Sequence, residues 1–252
     1  MDLLRVIRYN IFTPEENMAL DESIAMSVGD GTSPTTLRFY GWKPSAVSIG
    51  YFQEVRQEVD LEYCHQHNID VVRRITGGGA VIHADGELTY SFSISDKDPT
   101  ITKDIQGSYL KICSPLVSAL NSLGAKATFK PVNDIEIQGR KVSGNAQTRR
   151  FGAVLQHGTL LIDFNPTLLG AIKVNPQKLK AKGVEKVELR LITLREALGR
   201  TVKTAQVEDA IVKQFAAQFG FQIKLGEASW EELSRVPKLT MKYKSIDYLF
   251  RR

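Results

Sequence analysis

Apolar residues recur along this chain at two spacings, and those spacings predict its elements. Between Glu15 and Val28, the positions Met18, Leu20, Ile24, Ala25 and Val28 supply the apolar surface of a helix. Ser108–Leu123 repeats the pattern through Leu110, Ile112, Leu116, Val117 and Leu120, and Gly124 supplies its C-terminal stop. A period of two appears in 88–94, where Leu88, Tyr90, Phe92 and Ile94 alternate with Thr89, Ser91 and Ser93. That alternation predicts a strand with one buried face and one wet face. Short apolar runs at Leu37–Tyr40, Ala46–Ile49 and Ile69–Val72 read as strands, the first two separated by the turn Trp42-Lys43-Pro44. A helix is expected over Gln57–His67. Further strands are expected around Lys126–Phe129, Ile135–Ile137, Lys141–Val142 and Ala153–Ile162, with Gln138-Gly139 as a hairpin turn. Helices near Leu194–Leu198 and Val207–Phe219, a strand at Phe221–Leu225 and a helix around Trp230–Ser234 complete the pattern. Strands dominate the middle and helices flank them, which predicts an α+β sheet domain.

Composition narrows the class. A chain of 252 residues with 42% hydrophobic content can bury one large core. No apolar run is long enough to span a bilayer, and the N-terminus lacks the pattern of a secretory signal, so no membrane partner is expected. Cys64 and Cys113 are the two cysteines, which argues against a disulfide scaffold and for a cytoplasmic protein. The net charge of +5 suits an acidic partner. Zinc-finger spacing, an aromatic RNA-binding signature and a basic helix are all missing from the sequence, so nucleic acid is not expected.

Three segments carry candidate chemistry. Arg73-Arg74-Ile75-Thr76-Gly77-Gly78-Gly79-Ala80-Val81-Ile82-His83 places two arginines before three consecutive glycines. Such glycines mark a sharp bend or a ligand lying against the backbone, and the arginines suit a carboxylate or a phosphate. A Gly-rich hairpin with exposed arginines is the plainer alternative. In Asn133–Ala146, Lys141 sits on a strand running into Ser143-Gly144-Asn145-Ala146, where small residues let a ligand lie along the chain. Lys141 suits a phosphate oxygen, and Asp134 is a candidate magnesium ligand. Equally, Asn133-Asp134 can simply start a turn. The third segment, Gln156-His157-Gly158-Thr159-Leu160-Leu161-Ile162, holds a histidine in an apolar strand, read as supporting the site by hydrogen bonding.

These segments, together with Asn17-Met18-Ala19-Leu20-Asp21-Glu22, Leu37–Trp42, Val47–Gln53 and Leu179–Val184, resemble the lipoate–protein ligase family in order over nearly the whole chain. That family lies within a wider group of lipoate ligases, octanoyltransferases and biotin–protein ligases. The resemblance implies a mixed, largely antiparallel sheet flanked by helices, as one biotin/lipoate-ligase-like catalytic domain over residues 1–252 with no C-terminal accessory domain. It implies an ATP and acyl-adenylate site formed by Arg74, Gly77, Gly78, Gly79, Ala80, Val81, Ile82 and His83 together with Gly144, Asn145 and Ala146. It assigns Lys141 to both the phosphate and the acyl carbonyl oxygen, with Asn133 and His157 in support. Lys178, Lys180, Lys182 and Lys186 fall in a segment that resembles a mobile cover, or form a solvated basic face.

The expected activity is ATP- and Mg2+-dependent activation of lipoate or octanoate to acyl-AMP, then transfer to a lysine of an acceptor domain. Acceptors of the 2-oxoacid dehydrogenase E2 or glycine cleavage H-protein type are implied, with a separate accessory subunit as a further possible partner. Charge building on phosphoryl oxygens calls for fixed positive groups rather than a strong base. Two alternatives remain open. One is ATP-independent octanoyl transfer from acyl carrier protein, a branch that works through a cysteine thioester and that Ala146-Gln147-Thr148-Arg149 and Leu155-Gln156-His157-Gly158 resemble locally. The other is a non-catalytic adenylate-binding subunit. With no cysteine in 126–134 and with Gly77-Gly78-Gly79-Ala80 intact, the ligase is the expected branch.

Overall fold

The computed structural model describes residues 2–173 and 190–251. Its larger sheet has eight strands: β1 (Leu3–Phe12), β2 (Thr36–Trp42), β6 (Glu87–Ser95), β7 (Ala127–Lys130), β8 (Asp134–Ile137), β9 (Arg140–Arg150), β10 (Ala153–Leu161) and β11 (Gln222–Leu225). Their order across the sheet is β11-β1-β2-β6-β10-β9-β8-β7. β1 runs parallel to β11 and β2, and the other pairings are antiparallel. A second sheet holds β3 (Ala46–Ile49), β4 (Asp70–Arg73) and β5 (Val81–His83) in the order β4-β3-β5. The expected mixed, largely antiparallel sheet with flanking helices is present.

Four long helices cover the large sheet: α1 (Pro14–Gly29), α2 (Ile105–Ser122), α3 (Thr204–Phe219) and α4 (Trp230–Lys244). α1 starts at a capping box in which Thr13 and Glu16 satisfy each other's backbone N–H. On one face of the sheet, Phe39, Tyr90 and Phe92 pack with Ile112 and Leu116 of α2 and Ile211 and Phe215 of α3. On the other, Tyr40, Trp42 and Leu155 pack with Met18, Ile24 and Ala25 of α1 and Tyr243 of α4. A third apolar cluster joins the small sheet, through Val47, Ile49 and Ile82, to Leu161 and Phe164.

Four expectations change here. β6 was expected to show water one of its faces, yet Thr89, Ser91 and Ser93 are as buried as their apolar neighbours. α1 covers that second face, and the Ser91 hydroxyl donates to Asp21 of α1 at 2.7 Å. The helix expected over Gln57–His67 is broken into Val55–Glu58 and Leu61–Gln66. Val59 leaves the helix to pair with Ile172, and the Asp60 carboxylate starts a new helix by accepting the Tyr63 N–H at 2.9 Å. The Lys141–Val142 strand is the start of the eleven-residue β9, held on both sides by β8 and β10. The helix expected around Trp230–Ser234 runs on to Lys244, because the Ser229–Glu232 capping box starts it and α1 packs along it, and a short helix follows at Ile246–Leu249. No described helix is long and apolar enough to cross a membrane.

Candidate functional site

The glycine loop, β9 and β10 meet in a two-lobed cleft. The polar lobe, about 570 Å³, is lined by Ser48, Arg74, the Gly78–Val81 loop, His83, Asn133, Lys141, Gly144–Ala146 and His157, among others. The apolar lobe, about 890 Å³, is walled by Ile82, Val142, Leu161, Phe164, Leu169 and Leu191. Ala80, Val81, Lys141, Gly144 and Thr159 belong to both, so the lysine stands at the junction.

A β-bulge aims that lysine. The β8–β9 register shifts between Ile135 and Glu136, so Asp134 faces Gly144 while Glu136 faces Lys141. The lysine chain folds back over Gly144, where a Cβ would stand 2.5 Å from Nζ. The ammonium then reaches Asp134 Oδ1 at 2.6 Å. Asp134, expected to hold magnesium, is thus the partner of Lys141. No group of three His, Cys, Asp or Glu side chains placed to hold a metal occurs among the described residues.

Both loop arginines are turned inward. Arg73 is fully buried and donates to the carbonyls of Gly50, Tyr51, Gln53, Tyr248 and Leu249. Arg74 spends all five N–H donors on the protein: Nε on Thr76 Oγ1, Nη1 on the Ser48 carbonyl and hydroxyl, and Nη2 on the Gly77 and Gly79 carbonyls at 2.6 and 2.7 Å. Burial lowers its pKa to about 10, which leaves it charged at neutral pH. Its charge therefore shapes the loop from within, and Gly78 takes φ +90° beside it, a conformation that favours glycine. In this arrangement the Arg74 donors expected to meet a nucleotide phosphate are directed to protein acceptors.

Asn145 anchors the opposite wall. Its amide donates to the Asn133 carbonyl at 2.9 Å, Asn133 donates back to the Asn145 carbonyl, and Tyr90 donates to Asn145 Oδ1 at 2.6 Å. His157 lies beneath the glycine loop. Its Nε2 meets Thr76 Oγ1 at 2.7 Å and its Nδ1 meets Asp21 Oδ2 at 3.2 Å. Asp21 also accepts from Arg38, Tyr40 and Ser91. Of the expected site residues, Ile82 lines the apolar lobe and Gly77 gives its carbonyl to Arg74 outside both linings. The expected cover lysines, Lys178, Lys180, Lys182 and Lys186, lie outside the described residues.

Burial lowers the His157 pKa below its ordinary 6.5, so the ring is neutral at pH 7 and donates from Nδ1 to Asp21. The unfolded chain takes up that proton near 6.5 while the folded chain does not. Stability is therefore full above about pH 6.5 and falls as pH drops from there toward the folded-state value. Urea midpoints should decrease between about pH 7.5 and about pH 5.5, and His157→Gln should flatten the decrease. An equal decrease in the variant would place the titrating group elsewhere.

Sequence reasoning passed over Asp21, Arg38, Ser48, Thr76 and Glu87 as site residues. The available signals were Asn17 and Asp21 one turn apart and flanking the apolar Met18, Ala19 and Leu20, and a single serine within Ala46–Ile49. The cysteines stay out of the cleft: Cys113 is in the α2 core and Cys64 under the small sheet, and burial pushes their thiols up to about 12 and about 11.

The chain matches the model of the lipoyl protein ligase A/B catalytic domain over residues 13–216. It is 34% identical to octanoyltransferase LipM of Moorella thermoacetica and 36% identical to octanoyltransferase LipM of Clostridioides difficile, covering 98% of each pair. Among solved structures it resembles a bi-partite lipoate protein ligase of Thermoplasma acidophilum, studied with its E2 lipoyl domain (TM-score 0.86, 27% identity, 99% of this chain and 96% of that one). It also resembles lipoate-protein ligase A bound with ATP (TM-score 0.86, 27% identity, 99% of both chains). The relatives overturn the expected ATP-dependent ligase: proteins at this identity over essentially the whole chain are octanoyltransferases. The lack of a thiol beside Lys141 had favoured the ligase, but it bears on the route of transfer and not on the acyl donor. The chain belongs to the lipoyl protein ligase A/B catalytic-domain family.

Proposed function

We propose that this protein transfers an octanoyl group from octanoyl-acyl carrier protein to the ε-amine of a lysine on a lipoyl-acceptor domain, without ATP. The observation that carries this reading is the similarity to octanoyltransferases along nearly the full chain. The cleft supports it. The apolar lobe suits a medium acyl chain, and Lys141 lines both lobes, where it can meet the carbonyl of such a chain. A thioester is already activated, so the site needs no phosphoryl chemistry. In the net reaction the carbonyl carbon exchanges its bond to sulfur for a bond to the acceptor nitrogen, and the carrier is released as a free thiol. Negative charge collects on the carbonyl oxygen in between, and the Lys141 ammonium is the group that steadies it. Acceptors of the E2 lipoyl-domain or H-protein type fit this product, in line with the lipoyl domain studied with the Thermoplasma acidophilum ligase.

The test is incubation of the purified protein with octanoyl-acyl carrier protein and a lipoyl domain, followed by intact mass measurement of the domain. One octanoyl group should appear with no nucleotide present. Modification that required free octanoate, ATP and magnesium, with none from the thioester, would sink this reading.

A further inference from the structure

Resting on that reading, the structure points to a route for the acyl group: we propose that Ser48 carries it as an ester, activated by His83 and positioned by Glu87. The Ser48 hydroxyl lies 2.8 Å from His83 Nε2, and His83 Nδ1 lies 2.9 Å from Glu87 Oε2. These are the contacts that define a nucleophile, its base and the group that orients the base. The small sheet creates the first contact. Ser48 faces Val81 and Ala46 faces His83, so Ser48 and His83 are diagonal neighbours on one face of the β3–β5 pair.

The imidazole is held on two sides. Trp42 stacks on it at 3.9 Å with 17° between planes, and the indole N–H donates to Thr89 Oγ1 at 2.8 Å. Thr89 in turn donates to the other oxygen of Glu87. With Glu87 accepting at Nδ1–H, the Nε2 lone pair faces the serine. Arg74 Nη1 approaches the same hydroxyl at 3.3 Å and favours its developing alkoxide. Ser48 and His83 line the cleft together with Lys141. The neighbouring Thr76–His157–Asp21 chain has similar contacts, but Thr76 is fully buried and is not part of the cleft lining. Among the described residues no thiol lines the cleft either.

The steps balance. Ser48 Oγ attacks the thioester carbonyl as His83 Nε2 takes the hydroxyl proton, and the oxyanion rests on Lys141. The carbon–sulfur bond breaks and His83 returns the proton to the leaving thiolate, giving octanoyl-Ser48 and free carrier thiol. The acceptor amine then attacks the ester, His83 takes its proton, the ester carbon–oxygen bond breaks, and the proton returns to Ser48.

The protein is incubated with octanoyl-acyl carrier protein and no acceptor, quenched rapidly and mapped by mass spectrometry. One octanoyl group is expected on Ser48, stable to neutral hydroxylamine and discharged on adding a lipoyl domain. Ser48→Ala should lose the adduct and slow transfer roughly a thousandfold or more. Ser48→Cys should instead give a hydroxylamine-sensitive adduct, a readout that survives if the alanine variant folds poorly. The Cys64→Ser/Cys113→Ser protein should keep the ester. An adduct on either cysteine, or wild-type transfer rates in folded Ser48→Ala, overturns the proposal while leaving octanoyl transfer standing. A wild-type protein that transfers nothing from the thioester overturns both.

Discussion

Lys141→Ala is expected to slow octanoyl transfer by about 10²–10³-fold, the loss that follows removal of one donor to an oxyanion. The fold should survive. Lys141 is part-exposed at the cleft junction, and its ion pair among the described residues is with the part-exposed Asp134, so little stability depends on it. Lys141→Arg is the sharper probe. Its planar fork is longer and differently directed than an ammonium, and the path over Gly144 is narrow. The substitution keeps the charge but should recover only part of the rate. If the ammonium acts on the transition state, the defect appears in kcat and kcat/KM together, with KM for the thioester nearly unchanged. Near-normal kcat in folded Lys141→Ala would remove the lysine from the chemistry.

Arg38→Met should produce the largest loss of stability. Arg38 is 1% exposed and donates to Asp21 at 2.8 Å and to Asn17 Oδ1 at 2.6 Å, with its guanidinium 4.0 Å from the centre of the Tyr40 ring. Without it, Asp21 is a buried carboxylate left with only neutral partners, Tyr40, Ser91 and His157. Breaking a buried pair in this way costs about 3–5 kcal/mol, which lowers the melting temperature by on the order of ten degrees in a chain of this size. The double variant Asp21→Asn/Arg38→Met removes both charges and should be clearly more stable than Arg38→Met alone. A double variant no more stable than the single one would mean that packing, not charge, sets the cost. Asp21 also holds His157, which bonds Thr76 under the glycine loop, so loss of Arg38 should loosen the loop and raise KM as well.

Much of the fold was legible because its signals are local. The helical repeat at Glu15–Val28, the glycine after Leu123 and the turn at Gln138-Gly139 each depend on a few neighbouring residues. The hairpin has positive φ at both Gln138 and Gly139, as a tight two-residue turn needs. The segments expected to meet, Gly78–Val81, Lys141–Ala146 and His157, do line one cleft. The Gln57–His67 break was not legible, because it is imposed by Ile172, more than a hundred residues away. The second buried face of β6 was hidden for a related reason. Threonine and serine there look like a wet face until α1 covers them, with Asp21 accepting the Ser91 hydroxyl, while Thr89 donates to Glu87.

The sequence by itself determined most element types, though not the strand β1, together with the α+β class, the family resemblance and the lysine-bearing strand, because periodicity, turn chemistry and contiguous motifs are written in consecutive residues. Only the tertiary structure decided what those residues face. Arg73 and Arg74 look like ligand-binding cations in the sequence, and they become internal clamps because carbonyls from Ser48, Gly50, Gln53 and Leu249 converge on them. Asp134 becomes the partner of Lys141 through a bulge, and Ser48, His83 and Glu87 become a relay through strand register. A polar group buried away from water must find its partner wherever the chain returns to it, and that return is set by sheet pairing and helix packing, not by sequence neighbours.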